Sequence, residues 1–377
     1  MKRPAWLVVA GAMSLSIVIS FTATASTPVR LPAVANTKLE AATRLNPFTH
    51  LRSPSNTALK GGSTAMVANN FRVLGHDDLG AVDTHGDVWV HGDFAYVGTW
   101  SEPCSGLGVK IVDVSNLRAP RMIGRLAARE GTSAEDVVVR SVRTPYFHGD
   151  LLATGIQRCG EDPALDWETF GVEFWDVSNP YAPRKLSEFG TMYGFTFWGV
   201  HELDLFQRDD HVYALLASPF AEGSFDPVPG GDFRIVDATD PVHPIQVGEW
   251  GAAAHGLSPG PFFGLGSFGA ALAHSARASA DGRLAYVSYW DLGVLTFDIS
   301  DPTNPVLLTR TRFDPDDDGN AHSVAPYETK HHRRLLLQND EDFDPTSPTH
   351  ILTDRAVEAL ESRRRAGPRF GSYPATR

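Results

Sequence analysis

Gly108-Val-Lys-Ile-Val-Asp113-Val-Ser-Asn-Leu-Arg-Ala-Pro120 is the stretch on which the fold turns, because the chain writes it three more times. The relatives are Gly171-Val-Glu-Phe-Trp-Asp176-Val-Ser-Asn-Pro-Tyr-Ala-Pro183, Asp232-Phe-Arg-Ile-Val-Asp237-Ala-Thr-Asp-Pro-Val-His-Pro244 and Gly293-Val-Leu-Thr-Phe-Asp298-Ile-Ser-Asp-Pro-Thr-Asn-Pro305. Their aspartates stand 63, 61 and 61 residues apart, a near-constant period that marks a repeat architecture. Apolar residues before each Asp read as a strand, and the Asp-x-Ser/Thr-Asn/Asp cluster reads as an Asx-type turn. Proline then fixes φ and leads into a further strand, over 121–126, 184–189, 245–250 and 306–311.

Two more strand-like runs precede each copy, such as Asp87-Val-Trp-Val with Phe94-Ala-Tyr-Val, and His274-Ser-Ala-Arg-Ala with Leu284-Ala-Tyr-Val-Ser. Four short strands per unit predict an all-β fold, a β-propeller of four-stranded antiparallel blades that shield one another's edges. Four blades are complete. A fifth begins at His322-Ser-Val-Ala-Pro with Arg334-Leu-Leu-Leu-Gln but lacks its turn: Ala359 stands where the next Asp is due, in a stretch that reads as helix. Phe71-Arg-Val-Leu-Gly-His76 has the pattern of a fourth strand and is a candidate to close the ring against the last blade, though the missing third strand leaves closure open. The propeller is expected over 69–345, after a Pro/Thr/Ser-rich arm at 26–68 and before an atypical, Arg-rich tail at 346–377.

These copies resemble the LVIVD repeat of secreted or surface-associated proteins, which implies propeller architecture and says little of activity. Leu117 departs from the Pro of the other copies. A narrower similarity joins His274-Ser-Ala-Arg-Ala-Ser-Ala-Asp-Gly-Arg-Leu-Ala-Tyr-Val-Ser-Tyr-Trp290 and Asp298-Ile-Ser-Asp-Pro to the selenium-binding protein and methanethiol oxidase family. That resemblance implies metal-ligating propeller histidines, with Ala273-His274 here in place of the usual Pro-His pair.

The N-terminus places Lys2-Arg3 before an apolar run from Trp6 to Phe21 and a small-residue site at Ala23-Thr24-Ala25, the pattern of a secretory signal peptide over 1–25. Its loss takes the formal charge from −12 to −14, which disfavours nucleic acid and anionic lipid as partners. No later segment reads as a membrane span. In an exported chain the two cysteines, Cys104 and Cys159, are expected to form one disulfide between consecutive blades.

Aligning the first strands places Asp87, Asp136, His201, His274 and His322 at one position, and equivalent residues of inner strands form a ring around the axis. Imidazoles and carboxylates converging there suit Zn²⁺, Cu²⁺ or Fe²⁺; the plainer alternative is that each histidine bonds a neighbouring blade's backbone. Asp314-Pro-Asp316-Asp-Asp318-Gly-Asn320 begins like a calcium loop but has Ala325 where an EF-hand has Glu, so it stands as a weak Ca²⁺ site or a solvated acidic turn. Seven tryptophans, Trp89, Trp100, Trp167, Trp175, Trp198, Trp250 and Trp290, are expected as wedges between blades. Nucleophile-elbow, phosphate-loop, HExxH and paired-Cys signatures are absent. Export and repeat together favour a protein that binds a surface protein or glycan, with a metal-dependent oxidase or hydrolase built on the axial histidines as the alternative.

Overall fold

Each repeat folds as its sequence dictates, into four antiparallel strands. The computed structural model describes residues 72–80, 84–100, 106–159, 168–193, 199–222, 230–258, 270–311, 320–328 and 334–339. The expected signal peptide, the whole of the 26–68 arm and the C-terminal tail lie outside the described residues, as do Cys104, Asp314, Asp316, Asp318, Trp167, Trp198 and the stretch around Ala359. Blade one is β1 (His85–His91), β2 (Phe94–Thr99), β3 (Val109–Asp113) and β4 (Arg121–Leu126). Next in chain order comes the two-residue strand β5 (Thr132–Ser133), which pairs beside blade two with β8 (Gln157–Arg158). Blade two itself is β6 (Val137–Arg143), β7 (His148–Gly155), β9 (Thr169–Asp176) and β10 (Arg184–Tyr193). Blade three is β11 (Leu203–Arg208), β12 (His211–Ala217), β13 (Phe233–Asp237) and β14 (Ile245–Trp250), and blade four is β15 (Ser275–Ala278), β16 (Leu284–Ser288), β17 (Val294–Asp298) and β18 (Val306–Arg310). The fifth unit shows two strands, β19 (Ser323–Glu328) and β20 (Arg334–Asn339).

The motif aspartates end the third strands, and each carboxylate accepts the backbone N–H two residues on: Ser115 at 3.0 Å, Ser178 at 3.0 Å, Thr239 at 2.8 Å and Ser300 at 2.8 Å. The next polar residue repeats the device, with Asn116, Asn179, Asp240 and Asp301 accepting from Arg118, Tyr181, Val242 and Thr303. Two consecutive Asx turns per repeat thus account for the Asp-x-Ser/Thr-Asn/Asp spelling. Beyond the turn, the third and fourth strands slip register by one residue at the same place in all four blades, at Ile111/Val112, Lys185/Ser187, Ile235/Val236 and Thr296/Phe297. Such bulges raise local twist, which a propeller blade requires.

The first strands neighbour one another in the order β1, β6, β11, β15, β19, so they line the axis. Apolar wedges fill the spaces between blades: Tyr96, Val109 and Ile111 meet Val137 and Val139, Leu151 and Phe174 meet Leu203 and Leu205, Phe233 and Ile235 meet Ala276 and Phe297, and Tyr286 meets Val324. Among the described residues the ring is not closed. Val88 and Val90, whose counterparts Val137 and Val139 are each 1% exposed, are 61% and 63% exposed, because no sheet among the described residues covers that face of blade one. Residues 72–76, expected as a closing strand, pair with no strand among the described residues. Gly75 does pack against Leu117 and Pro120 of the first turn as Gly248 packs against Pro302 and Pro305 of the fourth, so the segment occupies the outer-strand position without its ladder.

Blade two leans on blade one where Gly98 passes the Glu135 carbonyl so closely that a Cβ would collide with it, whereas a Cβ on Gly124 meets nothing within 4 Å. Gly98→Ala is expected to cost about 1–3 kcal/mol, lowering the melting temperature by several degrees, while Gly124→Ala leaves it nearly unchanged. Thermal unfolding of the two variants checks this.

Candidate metal centre

The wedges fix which axial residues share a height. Val137 and Val139 face blade one, Leu203 and Leu205 face blade two, Ala276 and Ala278 face blade three, and Val324 faces blade four. Counting back two residues gives one layer of Glu135, His201, His274 and His322. The next residue along gives a second layer of Asp136, Glu202, Ser275 and Ser323. In blade one, Trp89 pairs with Tyr96 on the blade-two side, so Val88 and Val90 look the other way and Gly86 and Asp87 take the corresponding places. The expected five-membered ring of Asp87, Asp136, His201, His274 and His322 therefore divides: the three imidazoles come together, and the two aspartates sit one residue further along their strands. Glu135 holds the place that the alignment gave to Asp136.

In the first layer His201 Nε2 lies 2.7 Å from His274 Nε2, with the rings edge to face and centroids 4.1 Å apart. The His322 ring lies 4.2 Å from that of His274. Every Nδ1 faces a polar group of the protein. His201 Nδ1 meets Gln157 Oε1 and Glu135 Oε2, each at 3.1 Å. His274 Nδ1 faces Glu202 Oε1 at 3.5 Å, close enough for an ion pair but outside hydrogen-bond geometry. His322 Nδ1 lies 3.4 Å from Ser323 Oγ and 3.3 Å from Asn339 Nδ2. The indole of Trp290 covers this layer, its ring 5.0 Å from that of His274 and 6.2 Å from that of His322. Its φ of 44° is unusual for an aromatic residue, and its carbonyl is held by the N–H groups of Gly293 and Ala321, each at 3.0 Å.

The second layer is built on Arg277, which donates to Asp136 Oδ2 at 3.1 Å, to Glu202 Oε2 at 3.1 Å and to the Leu203 carbonyl, and which faces Asp87 Oδ2 at 3.5 Å. Ser323 Oγ donates to Glu202 Oε1 at 2.6 Å, and Asp136 Oδ2 accepts the Leu203 N–H at 2.7 Å. Burial works against the charge on Glu202, yet the facing His274, Arg277 and His201 hold its carboxyl below the usual range. Burial, with Glu202 beside it, pushes the other way at Asp136, raising it against the pull of Arg277, and burial with Asp136 and Glu202 nearby pushes Asp87 up to about 8. Burial and the neighbouring His201 hold His274 well below the ordinary imidazole value, and burial lowers His322 as well. Neutral imidazoles are the form in which histidine ligates metal.

Among the described residues two sets of donors are close enough for one ion: His201, Glu202 and His274, all buried, and Asp87, Asp136 and Glu202. Arg277 sits among the second set and satisfies it. Glu202, Glu135, Arg277, Ser323 and Gln157 were not singled out from the sequence. The signal for Arg277 was available, since a cation between Ala276 and Ala278 interrupts an apolar inner strand. Of the calcium-loop candidates only Asn320 is described, and it is buried. Among the described residues no helix is long and apolar enough to cross a membrane.

The LVIVD repeat model matches residues 84–127 and 275–312, which are blades one and four, so the chain carries LVIVD repeats. No curated protein matches. Among solved structures, a hypothetical selenium-binding protein from Sulfolobus tokodaii shares 13% identity at a TM-score of 0.30, covering 60% of this chain and 65% of that one. The Cps50 (Swd1) β-propeller domain from Myceliophteria thermophila shares 12% at a TM-score of 0.31, covering 68% and 83%. A GH32 β-fructofuranosidase from Bombyx mori shares 11% at 0.31, covering 60% and 51%. This chain thus spans slightly less than two thirds of the selenium-binding protein's length.

Asp87, half of whose side chain is exposed, gives the second layer a pH signature. Its folded-state pKa of about 8 lies above the ordinary 3.8, so the folded protein keeps a proton that the unfolded chain releases. The stability it contributes is full below about 4 and is lost as pH rises through about 8. Melting temperatures across that range are expected to fall less steeply in Asp87→Asn than in the unsubstituted protein; parallel curves would contradict this.

Proposed function

We propose that this chain is an exported repeat propeller that holds one divalent transition-metal ion at its axis through His201, His274 and His322. The observation that carries the reading is the 2.7 Å approach of two Nε2 atoms. His201 Nδ1 faces two oxygens at 3.1 Å and His274 Nδ1 faces the Glu202 carboxylate at 3.5 Å, so the electrostatics of both sites favour Nδ1 as the protonated nitrogen of a neutral ring. Both Nε2 atoms then point lone pairs toward one place, an arrangement that is repulsive unless a proton shared by the two or a cation held beside both of them relieves it. A metal ion would be held beside both nitrogens, and a third imidazole lying tilted against His274 favours the metal over the proton, since three histidines suit Zn²⁺, Cu²⁺ or Fe²⁺. When bound, such an ion supplies Lewis-acid or redox chemistry at a position left open by its protein ligands.

The protein's own groups fit that role. Glu135 and Gln157 set the His201 ring, Trp290 walls off the layer, and Arg277 keeps the carboxylates of the second layer engaged with a cation of their own. Export carries the second half of the reading: outside the cytosol the propeller presents its rim to a surface protein or glycan, and Cys104 pairs with Cys159. Burial of Cys159, at 4% exposure, supports that pairing.

Two measurements test this. Full-length mature protein supplied with Zn²⁺ or Cu²⁺ and then desalted is expected to retain about one ion per chain by elemental analysis. Its melting temperature is expected to rise by the equivalent of about 2.7 kcal/mol when free metal reaches a hundredfold over Kd. His201→Gln and His274→Gln each abolish both effects; a metal-free protein with an unmoved melting curve would sink the assignment. Separately, thiol titration of the unfolded, unreduced protein is expected to find no reactive sulfhydryl, and two per chain would refute the bridge.

A further inference from the structure

Glu202 offers two oxygens to groups from two other blades. Its Oε1 accepts from Ser323 of the fifth unit at 2.6 Å and faces His274 Nδ1 at 3.5 Å; its Oε2 accepts from Arg277 of blade four at 3.1 Å. With both oxygens engaged and the side chain 5% exposed, the carboxylate is fixed in place rather than turned toward the Nε2 atoms. Close grouping with the histidines would by itself allow Glu202 as a ligand. Position argues otherwise: Oε1 faces His274 on its Nδ1 edge, whereas the Nε2 edge is turned to His201, and the bonds to Ser323 and Arg277 hold the carboxylate there.

We infer that Glu202 is a positioning residue for His274: its carboxylate keeps the imidazole proton on Nδ1 and so aims the Nε2 lone pair at the axis. The inference rests on the metal reading above and deepens it by dividing ligands from supports. The support has a defined hand. Arg277 carries only donors, so it demands an oxygen from residue 202, and the remaining carboxylate oxygen necessarily falls to Ser323 and His274. In Glu202→Gln the amide oxygen stays with Arg277 and the NH₂ turns toward His274, which then accepts at Nδ1 and moves its proton to Nε2.

Long-range ¹⁵N–¹H correlation spectra of the full-length, metal-free protein read the tautomer directly, with His274 assigned through the resonances lost in His274→Gln. The unsubstituted protein is expected to show His274 protonated at Nδ1, and Glu202→Gln to show it protonated at Nε2. In parallel, Co²⁺ affinity is expected to fall about 10–100-fold in Glu202→Gln, the cost seen when a ligand's supporting carboxylate is removed, with the visible spectrum of the saturated site unchanged. An Nε2-protonated His274 in the unsubstituted protein overturns the inference without needing any variant to fold. So does an altered Co²⁺ spectrum at saturation, which would make Glu202 a ligand. Failure of the unsubstituted protein to bind Co²⁺ overturns the metal reading alone, since the tautomer still decides the role of Glu202.

Discussion

One guanidinium holds the axis together. Arg277 enters from blade four and reaches carboxylates supplied by blades one, two and three, along with a backbone carbonyl at the start of β11. Breaking a buried ion pair by removing one partner costs far more than the pair contributes on balance, because the other charge is stranded. Here a single cation answers for Asp136 and Glu202, both nearly inaccessible, so the blades are locked to one another through a point that none can leave alone. The apolar wedges supply most of the attraction between neighbouring blades and set the heights of the inner strands, and the charged contact at the axis reinforces that register.

That levelling is where the sequence was hardest to read. The four turns were legible because each depends on local chemistry, a carboxylate capping an N–H two residues away, and the third and fourth strands followed from them almost residue for residue. Inner strands are different. A strand packed on both faces loses the alternation that reveals its phase, and Val137-Val138-Val139 is apolar at every position because Val138 meets blade three while its neighbours meet blade one. With no polar face to mark the outside, a slip of one residue passes unnoticed, and Asp136 stood in for Glu135. The histidines did not suffer this error because blades three, four and five share one spelling, with the imidazole two residues before the first wedge residue.

Blade coverage also marks where the described blades leave the ring open. A propeller blade is stable only when both faces are covered, and blade one has a second face with nothing on it among the described residues. The residues there, Val88 and Val90, have the character of buried wedge residues and the exposure of surface ones. On the opposite side of the gap, Tyr327 and Leu337 of the two-stranded fifth unit are exposed as well. Repetition in the sequence thus specified the blades and their outer turns, whereas closure depends on a unit in which the repeat itself decays.

The two axial layers also differ in charge in a way that bears on what the first one does. The second layer gathers Asp87, Asp136 and Glu202 around one Arg277, three carboxyls to one guanidinium, and burial together with this crowding raises Asp87 and Asp136. Directly beside it stand three imidazoles whose burial keeps His274 and His322 neutral. A negative layer ordinarily draws protons onto adjacent histidines, and the ring beside Glu202 is the one expected to charge first. Its resistance comes from desolvation and from His201 at 2.7 Å, since two imidazolium rings cannot occupy so short a contact. The axis therefore combines a field that attracts cations with a pair of nitrogens able to accept only one between them. On the proposed reading, a metal ion held by His201 and His274 would answer both conditions, the field of the second layer and the two lone pairs that a single proton must divide.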